Sequence, residues 1–340
     1  MRLFTTVLLA ATFALAMAFA STNYAEETST APKDAPAFKS GPGIESGYYV
    51  FCYFRDNGQD GLHYAVSRDG YKWTPLNNDE SVLMPPVDKN TKLIRDPSIT
   101  RGSDGIFRMV WTVAWDGRHF GYACSDDLIE WRDAIAVPAM DFEPTTRNTW
   151  APEIFYDEPS EQFYIFWSST IPGRFSPADQ GTSETKYDHR AYYTTTKDFK
   201  TFTPTKIFFN PDHNVIDGFL FKKNDSYYLF YKDETLFPEA KKIILYAKSD
   251  SPEGPWTKGV RVSPQNWVEG PSVLDVNGDW LLYYDCYTAN KYAGMRSLDG
   301  ENWEDVSDWI SFPKNIHHGT TFEVPKDVYE KLVEKYGIMK

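Results

Sequence analysis

Four acidic residues of this 340-residue chain stand at the starts of strand-like apolar runs. They are Asp96, Glu153, Asp217 and Glu269, and each lies beside a proline or a glycine. Acids in that setting are common turn formers, so any one of them alone could simply accept hydrogen bonds from nearby backbone N–H groups. Four at one repeat position would instead crowd like charges together, raise their pKa values and separate acid from base roles. Two such carboxyl groups across a pocket can hydrolyse a glycosidic bond.

Internal repeats show which elements must position these acids. One segment, a short strand with a polar turn and a final aromatic residue, occurs five times: YAVSRDGYKW from 64, YACSDDLIEW from 122, YTTTKDFKTF from 193, YAKSDSPEGPW from 246 and YAGMRSLDGENW from 292. Ahead of the last four copies, each acid leads into a strand, a polar turn and a second aromatic-rich strand, which is a hairpin signature. Each unit therefore holds about four strands, as in a propeller blade.

The repeats predict an all-β fold, a single five-bladed β-propeller. The first unit has no acid-led strand, whereas the segment NIHHGTTFEV (315–324) is strand-like without a unit of its own. We therefore expect this C-terminal segment to supply the innermost strand of the N-terminal blade and close the ring, which would otherwise have an open edge. A β-sandwich is the alternative, but it would not require five copies of one turn motif. The innermost strands of a propeller border its central channel, so the acids should converge on one pocket.

Both ends of the chain suggest further organisation. Residues 1–20, with Arg2, an apolar run and Ala18-Phe19-Ala20, resemble a cleavable signal peptide, and a retained membrane anchor is the alternative. Residues 21–45, rich in Ser, Thr, Pro and charge, predict a flexible linker. The propeller should occupy 46–325, and VYEKLVEKYG predicts a short helix within 326–340.

Charge limits the partners. The sequence has 35 Lys plus Arg against 48 Asp plus Glu, a formal net charge of −13. Such a chain repels phosphate backbones and anionic membrane surfaces, so we expect no nucleic-acid partner and no integral membrane segment after signal cleavage. We expect an exported monomer, periplasmic or extracellular, that acts on an oligosaccharide or polysaccharide.

An ordered set of short motifs resembles glycoside hydrolase family 43, a family of five-bladed propeller enzymes. The resemblance runs from about residue 46 to 325 and rests on the segments Arg95-Asp96-Pro97, Trp150-Ala151-Pro152-Glu153, Val215-Ile216-Asp217, Val268-Glu269-Gly270-Pro271 and His318-Gly319. It implies that Asp96 is the general base, Asp217 tunes and orients the acid, and Glu269 is the general acid. Glu153 would line the pocket without donating a proton.

The same resemblance concerns ions. His318 is similar to a central histidine that faces a water-bound calcium or other ion in the channel of many family members. No cofactor is expected to be required, and a calcium ion in the channel could be present.

Side chains for sugar recognition are assigned by type and position. Trp115 and Trp150 offer flat apolar faces for sugar rings. Arg147 and Asn148, directly before the second acid, could bind hydroxyl groups, and Arg296 is a similar candidate from the last repeat. Each could equally serve packing or a surface ion pair. The long insertion TIPGRFSPADQGTSETKYDHR (170–190) should rim the pocket and narrow it to terminal sugars.

These observations favour an exported, exo-acting, inverting glycoside hydrolase of plant cell-wall side chains, foremost an α-L-arabinofuranosidase. A β-xylosidase or an exo-β-1,3-galactosidase would use the same three acids. A sialidase is disfavoured because no arginine triad recurs at blade positions. A non-catalytic carbohydrate-binding propeller is the alternative from another class, although a pure binder has no need of three mutually repelling carboxylates.

Overall fold

The computed structural model describes residues 37–86, 93–177 and 179–339, so the predicted signal peptide and most of the predicted linker lie outside it. Within these ranges the unit that begins at Phe38 forms twenty strands and one α-helix. The strands are β1 Tyr49–Phe54, β2 His63–Ser67, β3 Thr74–Pro75, β4 Arg95–Arg101, β5 Phe107–Thr112, β6 Phe120–Ser125, β7 Trp131–Val137, β8 Trp150–Asp157, β9 Gln162–Ser169, β10 Arg190–Thr196, β11 Lys206–Phe209, β12 Val215–Lys223, β13 Ser226–Asp233, β14 Ile243–Ser249, β15 Val260–Arg261, β16 Glu269–Val276, β17 Asp279–Cys286, β18 Lys291–Ser297, β19 Trp303–Asp305 and β20 His317–Glu323.

The strands form five antiparallel four-stranded sheets. Four sheets follow the chain, with orders β4-β5-β6-β7, β8-β9-β10-β11, β12-β13-β14-β15 and β16-β17-β18-β19. The remaining sheet has the order β20-β1-β2-β3, in which Phe51 of β1 pairs with Thr321 of β20. The structure thus confirms the five-bladed propeller and its closure by the C-terminal strand.

Hydrophobic side chains fill the spaces between neighbouring blades. Five core clusters, one per pair of adjacent blades, contain the largest buried aromatic residues, and one of them joins Phe51 of the first blade to Leu281 and Tyr283 of the last. Because every blade is covered on both faces, the alternation of strand side chains buries apolar residues on each side, as the near-continuous apolar runs of the sequence require.

The five-fold turn motif is a side-chain capped turn at the end of the third strand of each blade. In the first blade, Asp69 Oδ1 accepts hydrogen bonds from the backbone N–H groups of Tyr71 and Lys72, and Ser67 Oγ accepts one from Gly70 N–H. Asp127, Asp198 and Asp299 make the same bonds in other blades. A short acid that bonds the backbone two or three residues on fixes such a turn, which explains the repeat.

Each innermost strand begins with a β-bulge, in which two residues oppose one aromatic residue of the second strand. The first bulge residues, called here the bulge ring, are Asp96, Ala151, Asp217, Gly270 and His318. The aromatic residues opposite are Trp111, Trp167, Tyr231, Tyr284 and Tyr53. Four ring residues, from Asp96 to Gly270 in chain order, have positive φ angles between 46° and 59°. A bulge bends its strand and re-aims a side chain, so the ring directs its side chains together.

The two ends of the described unit pack on the propeller. The backbone N–H groups of Lys39 and Ser40 donate to Asp279 Oδ2 of β17, and the guanidinium of Arg296 lies 3.5 Å from the ring centre of Phe38. The chain therefore contacts the last blade from Phe38, within the stretch predicted as linker. Helix α1, Lys326–Tyr336, buries Val328 and Leu332 against the first two blades. No helix in the described ranges combines the length and apolarity that crossing a membrane requires.

Candidate active site

A cavity of about 500 Å³ opens at the bulge ring. Its lining combines carboxyl groups, three cationic side chains and aromatic rings: Arg95, Asp96, Thr112, Trp115, Asp116, Trp150, Ala151, Ser183, Glu184, Thr185, Tyr187, Ile216, Asp217, Lys232, Glu234, Glu269 and His318. All three predicted catalytic residues are among them. The structure therefore brings together in one cavity three of the four acids that the repeats predicted to converge.

Asp96 is held in its ionised form. Its Oδ2 accepts a 2.8 Å hydrogen bond from Thr112 Oγ1, and its Oδ1 lies 3.5 Å from His318 Nδ1. Burial alone would raise the pKa of Asp96, but the hydrogen bond to His318 and the charge of Arg95 outweigh burial and leave the pKa below its usual value. An ionised, hydrogen-bonded carboxylate can accept a proton from water.

Asp217 has the opposite tendency. Gly270 N–H donates a 3.2 Å hydrogen bond to its Oδ2, and His318 Nδ1 lies 3.7 Å from its Oδ1. Burial raises the pKa of Asp217 to about 7, the positive charge of His318 opposes this rise, and the negative charge of Glu269 adds to it. Asp217 therefore carries a proton over part of the neutral range, so two carboxyl groups of one cavity differ in protonation.

His318 lies between these two acids. Burial lowers the pKa of its imidazole, but the charges of Asp217 and Asp96 outweigh burial and raise that pKa to about 9. At neutral pH it is an imidazolium that offsets part of the acidic charge of the cavity. Gly270 makes room for it: a Cβ there would lie 2.6 Å from the His318 ring, and the backbone has φ +59°. Only glycine meets both conditions without strain.

Glu269, the first residue of β16, forms an ion pair with a buried lysine. Lys232 Nζ lies 2.9 Å from Glu269 Oε2 and 2.7 Å from Glu234 Oε2, and the lysine side chain is only 2% exposed. Glu234 also pairs with Lys242. Burial would raise the pKa of Glu234, but the charges of the two lysines dominate and lower it to about 2. Glu269 thus belongs to a buried network of charges as well as to the cavity.

Glu153 differs from its predicted place. It lies two residues after the first bulge residue of its strand, Ala151, and is not among the cavity-lining residues. The side chain is buried, and burial raises its pKa to about 8, although Ser98 and His318 oppose the rise. The four acids therefore do not share one repeat position. Asp96 and Asp217 are first bulge residues, whereas Glu269 precedes the bulge by one residue and Glu153 follows it.

Aromatic residues form one wall of the cavity. Trp150 Nε1–H donates a 2.7 Å hydrogen bond to the backbone oxygen of Trp115, and the two rings meet edge to face. Trp150 also packs against Tyr187, and Trp115 is 49% exposed. Arg95 lies with its guanidinium 4.3 Å from the Trp115 ring centre. This wall offers apolar ring faces beside the carboxyl groups, an arrangement suited to a sugar ring.

The other predicted sugar-binding residues lie outside the lining. Asn148 is fully buried and bonds the backbone of Ser168 and Thr170. Arg147 Nη1 donates to Thr185 O, and its guanidinium stacks on Tyr187, so it supports the wall from behind.

Arg296, also predicted to bind sugar hydroxyl groups, lies away from the cavity. It lies on β18, the third strand of the last blade, where it pairs with Glu304 and packs on Phe38 and Trp309. It is absent from the cavity lining because a third strand is two strands away from the bulge ring.

The insertion between the second and third strands of its blade does reach the cavity. Ser183, Glu184, Thr185 and Tyr187 line it, so this part of the insertion borders the site as predicted. Lys232, Glu234 and Thr112 were missed. Two of them could have been found by position. Thr112 and Lys232 each directly follow the aromatic residue that opposes a bulge, so their side chains point toward the bulge ring.

The described residues do not fit a metal ion that the protein binds directly. Calcium takes roughly six to eight oxygen ligands, and the described part of the chain has no cluster of three or more His, Cys, Asp or Glu side chains that could hold a metal. The imidazolium of His318 would also repel a cation. The predicted water-bound ion near His318 stays a prediction, and no step below depends on it.

The fold and this cavity define a class of protein: a five-bladed propeller with ionisable residues collected where its innermost strands begin. Residues 46–330 match the model of a family described as a probable glycosyl hydrolase domain, related to glycoside hydrolase family 43. The chain belongs to this family.

Known proteins with similar sequences or folds agree with this assignment. An α-L-arabinofuranosidase of Bifidobacterium longum subsp. longum is 23% identical in an alignment of 246 residues that covers 62% of this chain and 23% of that protein. This chain thus spans about a quarter of the length of that relative. The structure of an α-L-arabinanase from Cellvibrio cellulosa is 15% identical, with TM-score 0.56 over 79% of this chain and 99% of that one. An exo-β-1,3-galactanase from Clostridium thermocellum is 16% identical, with TM-score 0.55 over 78% and 60%. The two structures establish likeness of fold.

Proposed function

We propose that this protein is an exo-acting, inverting glycoside hydrolase of plant cell-wall side chains, foremost an α-L-arabinofuranosidase. The observation that carries the proposal is the pairing, in one cavity, of an ionised Asp96 with an Asp217 whose pKa is raised to about 7, next to Glu269. Carboxyl groups with separated protonation states are what glycosidic hydrolysis requires. The family relationship and the arabinofuranosidase relative support the choice of sugar.

Each acid has a role in the proposed reaction. Asp96 accepts a proton from a water molecule as the water oxygen bonds to the anomeric carbon of the terminal sugar. Glu269 donates a proton to the glycosidic oxygen, which leaves with the rest of the glycan. The anomeric configuration inverts because water attacks from the face opposite the leaving group. Asp217 accepts a hydrogen bond from Gly270 N–H and feels the charge of Glu269, and in this reaction it orients the acid.

Two walls of the cavity support exo action. Trp115 and Trp150 offer faces for one sugar ring, and the insertion residues Ser183 to Tyr187 border the opening. A cavity of about 500 Å³ accommodates a terminal sugar and its linkage rather than a long stretch of glycan.

The test is proton NMR of residues 21–340 with aryl glycosides of arabinofuranose, xylose and galactose. Release of arabinose with inverted configuration is expected. Asp96→Asn should lower kcat by roughly 10³-fold, and Glu269→Gln should retain activity only with leaving groups that need no proton. Glu304→Gln, a partner of Arg296 outside the cavity, is the matched control and should behave as wild type.

Other outcomes of that test would revise the proposal in defined ways. Release of xylose or galactose instead of arabinose would change the sugar assigned to the proposed substrate. Retention of configuration would make one acid a nucleophile. Binding of all three glycosides without release would favour a carbohydrate-binding propeller.

Export and a monomeric state are proposed from the sequence. The apolar segment 1–20 with its Ala18-Phe19-Ala20 ending supports cleavage by a signal peptidase and a periplasmic or extracellular protein. Expression of the full chain followed by N-terminal sequencing of the exported product should give Ser21 as the first residue. An uncleaved product in the membrane fraction would show an anchor instead. Light scattering of the exported protein should give the mass of one chain.

A further inference from the structure

Lys232 stands out among the residues that follow the bulge-facing aromatics. The corresponding positions of the five blades hold Thr112, Ser168, Lys232, Asp285 and Phe54. Only one of these is a cation, and it lies in the blade next to Glu269. Its side chain is 2% exposed, and a buried ammonium is costly unless it is paired and hydrogen-bonded. A lysine in this place therefore requires an explanation beyond packing.

The pairing of Lys232 is divided between two carboxylates. Its Nζ lies 2.9 Å from Glu269 Oε2 and 2.7 Å from Glu234 Oε2, and both glutamates line the cavity. Glu234 in turn pairs with Lys242, whose side chain is also 2% exposed, and Lys242 Nζ lies 3.0 Å from Glu184 Oε2 on the insertion. The network thus runs from the proposed acid to the cavity border through alternating charges.

This arrangement poses a chemical problem for proton donation. Glu269 must hold a proton to release the leaving group, yet an ammonium 2.9 Å away favours its carboxylate form. Glu234 removes part of that effect, because its negative charge lies on the other side of the same ammonium.

We propose that Lys232 and Glu234 act as a pair of positioning residues: the lysine holds the Glu269 carboxyl in place, and the glutamate limits how strongly the lysine keeps Glu269 ionised. The inference rests on the proposed function for its catalytic meaning. The effect of the two residues on the protonation of Glu269 can be measured without any turnover.

Other charged or titratable groups act on the same site. Those whose charges couple to Glu269 are Asp217, Asp285, Tyr287, Tyr292, His317 and His318. The variants below leave all of these residues in place. The charge of Lys232 also lowers the pKa of Asp217, so Lys232→Met acts on Glu269 both directly and through Asp217.

Opposite signs make the test specific. Lys232→Met removes the cation and should move the titration of Glu269 to higher pH, by about one pH unit, the usual effect of one close charge. Glu234→Gln removes the second carboxylate that pairs with Lys232, so Glu269 becomes the one carboxylate in that pairing and its titration should move to lower pH. Lys232→Arg keeps the charge and should stay near the wild type. Lys248→Met, which breaks the Lys248–Glu301 pair outside the cavity, is the matched control.

The measurement is carbon NMR of protein labelled at glutamate carboxyl carbons, with the Glu269 signal identified by its loss in Glu269→Gln. Shifts of opposite sign in the two variants support the proposal. Shifts of the same sign, or none with all variants folded, overturn it. If Lys232→Met does not fold, the sign of the Glu234→Gln shift decides.

The pH profile of kcat/KM then connects the pair to catalysis. With a glycoside whose leaving group needs a proton, the alkaline limb should move in the same directions as the NMR titration. If the NMR shifts have opposite signs but the alkaline limb of the kcat/KM profile does not move, the effect of Lys232 and Glu234 on Glu269 stands, and Glu269 is not the general acid. Absence of turnover in the wild type would refute the proposed function and leave the NMR result standing.

Discussion

Asp96 and Glu153 are acids near the starts of neighbouring innermost strands, yet they differ in position relative to the bulge, in access to the cavity and in the direction of their pKa shifts. Asp96 occupies the first position of its bulge, lines the cavity and has a pKa below its usual value. Glu153 lies two residues beyond the first position of its bulge, away from the cavity lining, and burial raises its pKa to about 8. A displacement of two residues along the strand separates an ionised group in a cavity from a neutral group in the interior.

The bulge explains the difference. A bulge residue with positive φ turns its side chain out of the regular alternation, and here it turns it toward the other ring members. Glu153 has already returned to the regular register, opposite Phe166. Whether an acid lines the cavity follows its position relative to the bulge, and nearness to the end of a strand is not sufficient.

The largest expected effect is on turnover. Asp96→Asn should lower kcat by roughly 10³-fold, because a positioned general base contributes on the order of 10² to 10⁴, with little change in melting temperature. Glu153→Gln should keep activity within about threefold, since removing a group that touches no substrate leaves the barrier nearly unchanged. Initial rates on the aryl glycoside of the preferred sugar measure both. Equal losses in the two variants would contradict the distinction between the two positions.

A second effect concerns stability and pH. The pKa of Glu153 is raised from 4.5 to about 8 in the folded state, so the folded chain keeps a proton that the unfolded chain releases. Its contribution to stability is full below pH 4.5 and declines as pH rises toward 8, by on the order of 4 kcal/mol. Glu153→Gln should therefore lose less unfolding free energy than wild type between pH 5 and 8. Denaturant unfolding at both pH values measures this, and parallel losses would show that Glu153 is ionised in the fold.

The smallest expected effects come from exchanging residues at two equivalent ring positions. Gly270→Ala should destabilise the protein by more than about 1 kcal/mol, since alanine is strained at positive φ and its Cβ would meet the His318 ring. Ala151→Gly, at φ 46°, should stay within about 1 kcal/mol of wild type because relief of strain offsets the added flexibility of the unfolded chain. Thermal unfolding compares them. A Gly270→Ala variant with wild-type stability would show that the His318 ring can move away from the added Cβ.

The sequence predicted the fold well because its signal is repeated. Five copies of a turn, each capped by a short side chain, and one unpaired strand segment sufficed to predict the blades and their closure. Asp96, Asp217, Glu269 and His318 were predicted to meet from their places ahead of those strands, and they do line one cavity.

The misplaced residues were those whose surroundings depend on register. An alignment of the repeats on their acidic residues treats Glu153 as equivalent to Asp96. The amino-acid sequence reveals neither the bulge nor the two-residue offset of Glu153 from it. The aromatic residue opposite each bulge, such as Trp111 or Trp167, would have supplied the missing reference point. Lys232 was overlooked because lysine is usually exposed, and only its place after Tyr231 reveals that it points inward.

Strand β20 ties the site to the completeness of the chain. The innermost strand of the first blade comes from residues 317–323, and the same strand carries His318. A nascent chain that has not yet reached this segment lacks both the last seam of the ring and the cation between Asp96 and Asp217. The cavity is therefore complete only once residues 317–323 have joined the first blade, and a polypeptide that ends before them cannot form it, whatever fraction of its blades has formed.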